Sequence, residues 1–144
     1  MARFSTILGV LAMTLSTSFS MPGTAQSGTY TYSGNTYAAI AFSPATGKRA
    51  CAYNYGSRAS AERAALKTCG ADDARIVTWA NNGYCALALS DDNLYWGTGS
   101  SYGDGASNVE ARNHALKQCR DRATSARIVL CVCSLDVDPE INRD

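Results

Sequence analysis

Ala65-Leu66-Lys67-Thr68-Cys69 returns as Ala115-Leu116-Lys117-Gln118-Cys119, an offset of 50 (115 − 65). Ala74-Arg75-Ile76-Val77 returns as Ala126-Arg127-Ile128-Val129, an offset of 52 (126 − 74), so the second copy carries two extra residues between helix and strand. Tyr37-Ala38-Ala39-Ile40-Ala41, matched by Tyr84-Cys85-Ala86-Leu87-Ala88, opens each copy. Self-similarity at a fixed period marks one supersecondary unit that cannot bury its apolar face alone. Two copies are therefore expected to close over a shared interior.

Working outward, each copy reads as strand, strand, helix, strand. Tyr37 to Ser43 alternates, with Ile40 and Phe42 on one face and Ala39 and Ala41 on the other. Pro44-Ala45-Thr46-Gly47 is a turn signal, and Arg49 to Tyr55 is the returning strand. Ser57 is placed to N-cap the alanine-rich run Arg58 to Cys69, and Gly70 to stop it. Arg75 to Ala80 is β-branched and aromatic, and Asn81-Asn82-Gly83 reads as a hairpin turn. In the second copy, Tyr84 to Ser90 and Leu94 to Ser100 flank the turn Asp91-Asp92-Asn93. Ser107 with Glu110 forms a capping box for a helix running to about Cys119, and Arg127 to Cys133 is the last strand. The fold class expected is α+β: a duplicated strand-strand-helix-strand unit, mainly antiparallel sheet with two helices, related by a pseudo-twofold. Leu66 and Leu116 should point at one core, with Ile40, Phe42, Leu87 and Leu89 facing it from the sheet. Arg75 and Arg127 sit at equivalent strand starts and read as architectural.

Residues 1–25 read as a signal peptide: Arg3, an apolar run from Ile7 to Leu15, and the small-residue site Gly23-Thr24-Ala25. The run is far shorter than the roughly 20 residues that span a bilayer. Residues 26–36 read as a linker or leading strand, 37–83 and 84–134 as the two repeats of one domain, and 135–144 as a flexible acidic tail. A secreted or periplasmic chain of 144 − 25 = 119 residues is expected, a normal size for one domain. The chain has 13 basic and 12 acidic residues, and losing Arg3 with the signal balances them. A neutral domain lacks the footprint for nucleic acid, and no integral membrane segment is expected after signal removal.

All six cysteines, Cys51, Cys69, Cys85, Cys119, Cys131 and Cys133, follow the signal, and export with an even count points to disulfides. Six cysteines allow 15 connectivities, and nothing in the spacing selects one. Cys131-Val132-Cys133 is not the C-x-x-C step of structural zinc, and the only histidine, His114, is far from it in sequence. No metal and no cofactor is expected.

The candidate chemistry is sparse. Gly99-Ser100-Ser101-Tyr102-Gly103 fits G-x-S-x-G, but that motif needs a strand-to-helix elbow on a large parallel sheet, followed by an acid and then a histidine. His114 follows Ser101 by only 13 residues (114 − 101), inside the next helix. The pairs Asp72-Asp73 and Asp91-Asp92 read as turn caps, and Asp136, Asp138 and Glu140 as a solvated tail. The aromatics are more suggestive. Tyr53 and Tyr55 share a strand face, and Tyr95, Trp96 and Tyr102 flank the glycine-rich segment of the second copy. Tyr and Trp are favoured in binding patches because they present large rigid area with a polar handle.

The order Tyr37-Ala38-Ala39-Ile40-Ala41-Phe42-Ser43, Tyr53-Asn54-Tyr55, Ser57-Arg58-Ala59, Leu66-Lys67-Thr68-Cys69-Gly70, Cys85-Ala86-Leu87-Ala88, Trp96-Gly97-Thr98-Gly99 and a last strand ending at Cys133 resembles the domain of unknown function 4189 family. These are small bacterial proteins that are usually exported, and the resemblance covers about Tyr37 to Cys133. It implies secretion and disulfides, and no established catalytic activity. Cys85 matches the cysteine opening the second half and Cys133 the one closing the last strand, so a Cys85–Cys133 bridge is implied. Such a bridge contributes about 2–5 kcal/mol.

The reading is of a disulfide-stabilised interaction protein without an enzymatic activity of its own, binding another protein through Tyr53, Tyr55, Tyr95, Trp96 and Tyr102. Its alternative is a small extracellular hydrolase acting on cell-wall or host material, built on Ser101, His114 and a carboxylate. A purely structural envelope component is a third.

Overall fold

The computed structural model describes residues 34–135. The signal segment, most of the linker and nearly all of the acidic tail lie outside the described residues. The elements are β1 (Tyr37–Phe42), β2 (Arg49–Tyr55), α1 (Arg58–Cys69), β3 (Arg75–Asn81), β4 (Tyr84–Leu89), β5 (Trp96–Ser101), α2 (Asn108–Arg120) and β6 (Arg127–Cys133). They form two three-stranded antiparallel sheets, in order β2-β1-β3 and β5-β4-β6. The second order is the first with each strand replaced by its repeat. The fold is α+β and duplicated.

The duplication extends to an irregularity. Ile40 pairs with Thr78 and Ala41 with Ile76, leaving Val77 in a bulge; Leu87 pairs with Leu130 and Ala88 with Ile128, leaving Val129 in a bulge. Both valines pack into the central cluster. A bulge adds a residue and increases local twist, so each sheet twists at the same height.

The layers run helix, sheet, sheet, helix. Between the sheets lie Ile40, Phe42, Leu87, Leu89, Val129 and Val132, all essentially fully buried. The opposite face of the first sheet carries Ala39, Ala41, Ala50 and Ala52 against Ala61, Ala65 and Cys69 of α1. That of the second carries Ala86, Ala88 and Cys131 against Ala111, Ala115 and Cys119 of α2. The expectation that Leu66 and Leu116 share a core is corrected: they are only partly buried and flank two separate helix–sheet interfaces. The helix positions aimed squarely at each sheet are spaced by four residues, as one helix face requires, and hold Ala, Ala and Cys. Ile40, Phe42, Leu87 and Leu89 do share an interior, the one between the sheets.

The second helix sits closer. Gly97 and Gly99 stand in β5 where Ala50 and Ala52 stand in β2. A methyl group at Gly97 would collide with backbone atoms of Ala115 and Cys119, and one at Gly99 with the Ala111 carbonyl oxygen. These glycines are required by the approach of α2, as small residues permit close backbone packing.

Asn81-Asn82-Gly83 does not close a hairpin. β3 pairs with β1 and β4 with β5 and β6, so this turn carries the chain from one sheet to the other. Two alternating strands joined by Asn-Gly read as a hairpin because sequence gives the turn but not the partner. Here the turn knots the domain instead. Asn82 N donates to Thr36 O at 2.9 Å and Thr36 N to Asn82 Oδ1 at 2.9 Å. Gly83 N donates to Ser134 Oγ at 2.9 Å and Ser134 N to Gly83 O at 2.8 Å.

Helix α1 starts at Ser57, whose hydroxyl accepts from Ser60 N, and stops at Gly70 with φ 58°. Helix α2 starts at Ser107, whose hydroxyl accepts from Val109 N, and ends in a right-handed turn at Asp121. Arg122 N and Ala123 N both reach back to Cys119 O; this turn takes up the two inserted residues. Glu110 does not complete the expected capping box, because Ser107 N donates to Ser101 Oγ at 2.9 Å.

Candidate functional site

β-pairing sets out the aromatics. Tyr37 and Tyr55 are cross-strand partners at one end of the first sheet. Trp79, opposite Ala39 in β3, lies 6.5 Å from Tyr37 between ring centroids and 5.5 Å from Tyr102, which follows β5. The Tyr102 hydroxyl reaches the Trp79 carbonyl at 3.5 Å. Arg58, in the first turn of α1, lays its guanidinium 4.2 Å from the Trp79 ring, while its Nε also meets Glu62 at 2.6 Å. Cation–π contact is strongest over indole, so Arg58 fixes the Trp79 plane. The result is a ridge, Tyr55–Tyr37–Trp79–Tyr102, whose ends are 36% and 53% exposed.

The five aromatics singled out in the sequence divide between environments. Tyr55 and Tyr102 stand on this ridge. Tyr53 is partly buried against the inter-sheet core. Trp96 belongs to the same interior, edge-on to Phe42 at 6.1 Å and under Arg75 at 5.3 Å. Tyr95, 41% exposed, precedes β5 at the opposite end of the sheets. Tyr37 and Trp79, the centre of the ridge, were missed. The signal was there: Tyr37 shares its strand face with Ala39 and Ala41, and Trp79 faces Ala39 across the ladder.

Ser101 is buried and engaged, its hydroxyl donating to Ser107 O and accepting from Ser107 N, both at 2.9 Å. Its part is to fasten β5 to the start of α2. His114 lies on α2 against Gly99. Asp73 and Asp92 cap turns, accepting hydrogen bonds from the hydroxyls of Ser43 and Ser90. Those hydrogen bonds, with backbone N–H groups of Ala45 and Leu94, hold both carboxyls below the usual range.

No disulfide joins the six cysteines. The implied Cys85–Cys133 bridge meets a geometric obstacle. Cys85 faces the inter-sheet core beside Val132, whereas Cys133 pairs with Tyr84, which packs on the α2 side of the same sheet. Neighbouring positions on a strand point to opposite faces. Cys69 and Cys119 are equivalent, with Sγ directed at Lys48 O (3.5 Å) and Tyr95 O (3.6 Å). Burial raises the Cys51, Cys85 and Cys119 thiols, Cys85 most, which suppresses the nucleophilic thiolate. Among the described residues no group of three or more His, Cys, Asp or Glu is placed to hold a metal ion, and no helix is long and apolar enough to cross a membrane.

No curated protein and no solved structure matches this chain. The family model described as Domain of unknown function (DUF4189) matches residues 37–133, from the first residue of β1 to the last of β6. The chain belongs to the DUF4189 family.

Proposed function

We propose that the protein is an exported interaction module that binds a protein partner through the ridge Tyr55–Tyr37–Trp79–Tyr102 and Arg58. The observation that carries this reading is the continuity of the ridge: three rings in sequence at 6.5 and 5.5 Å, with a guanidinium at 4.2 Å on the middle one. Trp, Tyr and Arg are the residues that dominate protein–protein binding energy, and they act in clusters. A surface built this way offers rigid apolar area at small entropic cost, with Tyr hydroxyls at the rim for orientation. Export supports the reading from the N-terminal side, through the signal-like segment.

The test is crosslinking capture from envelope and medium fractions with the wild-type chain, Tyr102→Ala and Arg58→Ala. A partner lost by both variants, each melting like wild type, supports the ridge. An identical partner set for all three overturns it.

A further inference from the structure

We propose that the outer edge of β2 is a strand-addition site, where a partner protein lays an extended peptide beside Cys51. Strand pairing decides which backbone groups of β2 are left over. Ser43 N donates to Lys48 O, and Ser90 N to Tyr95 O. Hydrogen-bonded and non-bonded pairs alternate along an antiparallel ladder. Ala50 and Ala52 therefore turn their N–H and C=O groups to β1, whereas Cys51, opposite Ile40, turns its own away from the sheet. Thr98, opposite Leu87, does the same in β5, and the two positions are equivalent by the repeat. At β5 the outward group is covered: Thr98 N donates to Gln118 Oε1 at 2.5 Å, and Thr98 Oγ1 reaches the same oxygen at 3.3 Å. Thr68 holds the place of Gln118 in α1. Its hydroxyl, carried on Cβ, falls well short of where a glutamine amide ends.

The position one helical turn earlier follows the same pattern. His114 lies against Gly99 in α2, and Ala64 stands in its place in α1. The second repeat thus flanks its edge with two bulky side chains, and the first carries Ala and Thr there. What remains is a groove of about 480 Å³ lined by Cys51, Ala52, Tyr53, Ala64 and Thr68. The Gln118 contact shows what belongs in it. Its Oε1 is an amide carbonyl oxygen, the acceptor that every residue of a peptide backbone repeats. An edge strand is a template for such a chain, and main-chain hydrogen bonds then supply the affinity. The open run is short, because Asn54, at φ 62°, gives its N–H to Ser134 O at 3.1 Å. This edge meets the aromatic ridge only at Tyr55, and the site stands whether or not the ridge binds a partner.

The experiment pans a displayed library of random heptapeptides on the full chain. The enriched peptide is synthesised with and without backbone N-methylation, and each form is titrated against isotope-labelled protein by amide NMR. Saturable shifts at the Arg49 and Cys51 amides are expected. N-methylation of alternate peptide residues should weaken binding about tenfold, or 1.4 kcal/mol. Thr68→Gln, which gives the first repeat the amide of the second, should weaken it as much. Native-state hydrogen exchange reads the edge without a peptide: Cys51 N–H should exchange faster than Thr98 N–H in wild type and slow down in Thr68→Gln. Shifts centred on Trp79 and Tyr102 would place the peptide on the ridge and overturn the edge site. No enriched peptide, or equal binding by the N-methylated form or by Thr68→Gln, would overturn it too. A wild-type Cys51 amide as protected as Thr98 would mean that a second copy or another part of the chain already covers the edge, and would equally overturn it.

Discussion

Ser43 and Ser90 are buried at the same place in the two repeats, and each donates a hydroxyl hydrogen bond to an aspartate carboxylate that comes from a different part of the chain. Ser90 finds Asp92 two residues on, inside the same turn; Ser43 finds Asp73, thirty residues on, in the turn between α1 and β3. In both, the carboxylate also caps a backbone N–H of the hairpin turn, Leu94 N at 3.0 Å or Ala45 N at 2.9 Å. The duplicated site needs a carboxylate, and the two copies supply it by different routes.

Both carboxyls are held below their ordinary range by these hydrogen bonds. A folded-state pKa below the unfolded value contributes stability that is present above the unfolded pKa, about 3.9 for Asp. That stability is lost as pH falls through the folded value. Urea midpoints measured from pH 7 down to pH 2 should therefore fall below about pH 4. Asp73→Asn and Asp92→Asn should each start lower at pH 7 and show a shallower acid loss. Parallel curves for wild type and both variants would contradict the assignment.

Gly99→Ala should destabilise the fold by about 3 kcal/mol or more, at the upper end of overpacking costs. The new methyl meets the Ala111 carbonyl, and backbone cannot step aside as a flexible side chain can. Its counterpart Ala52→Gly should cost only about 1 kcal/mol. Chemical denaturation of the pair reads out how differently two repeats of one unit are packed.

Trp96→Ala and Tyr102→Ala separate core from surface. Removing Trp96 strips the ring under Arg75 and beside Phe42, a loss of about 3–5 kcal/mol. Tyr102, half-exposed, should cost under about 1 kcal/mol. Equal thermal shifts for the two would refute this division.

Alkylation tests the cysteine environments. In the reduced protein, iodoacetamide should modify Cys51 and Cys133, which are partly exposed, before Cys85 and Cys119, which are buried. Mass spectrometry of a time course gives the order. Early labelling of Cys85 would require an inter-sheet core more open than its complete burial indicates.

Local signals carried most of the fold. The boundaries of β1, β2 and α1, the cap at Ser57 and the stop at Gly70 follow from residues within a few positions of each other. The repeat then transferred that reading to the second copy. What failed was pairing at a distance. Asn81-Asn82-Gly83 has the chemistry of a hairpin turn, but Thr36 and Ser134, the first and last buried polar residues among the described ones, claim its hydrogen bonds. Leu66 and Leu116 read as core because they are equivalent helix positions of the repeat, while the alanines beside them face the sheets. The aromatic surface was half legible: Tyr55 and Tyr102 are visible as a pattern, but their link through Tyr37 and Trp79 exists only once β1, β2 and β3 lie side by side.

Beneath each helix the contact layer is almost wholly Ala, Gly and Cys. Residues this small leave little room for a bulkier neighbour, and at Gly97 and Gly99 under α2 an added methyl meets backbone at once. Sequence drift is thereby steered outward, to the hairpin tips, the helix flanks and the ring-bearing end of the first sheet. A lineage of such proteins could keep one rigid frame while exchanging what that frame displays.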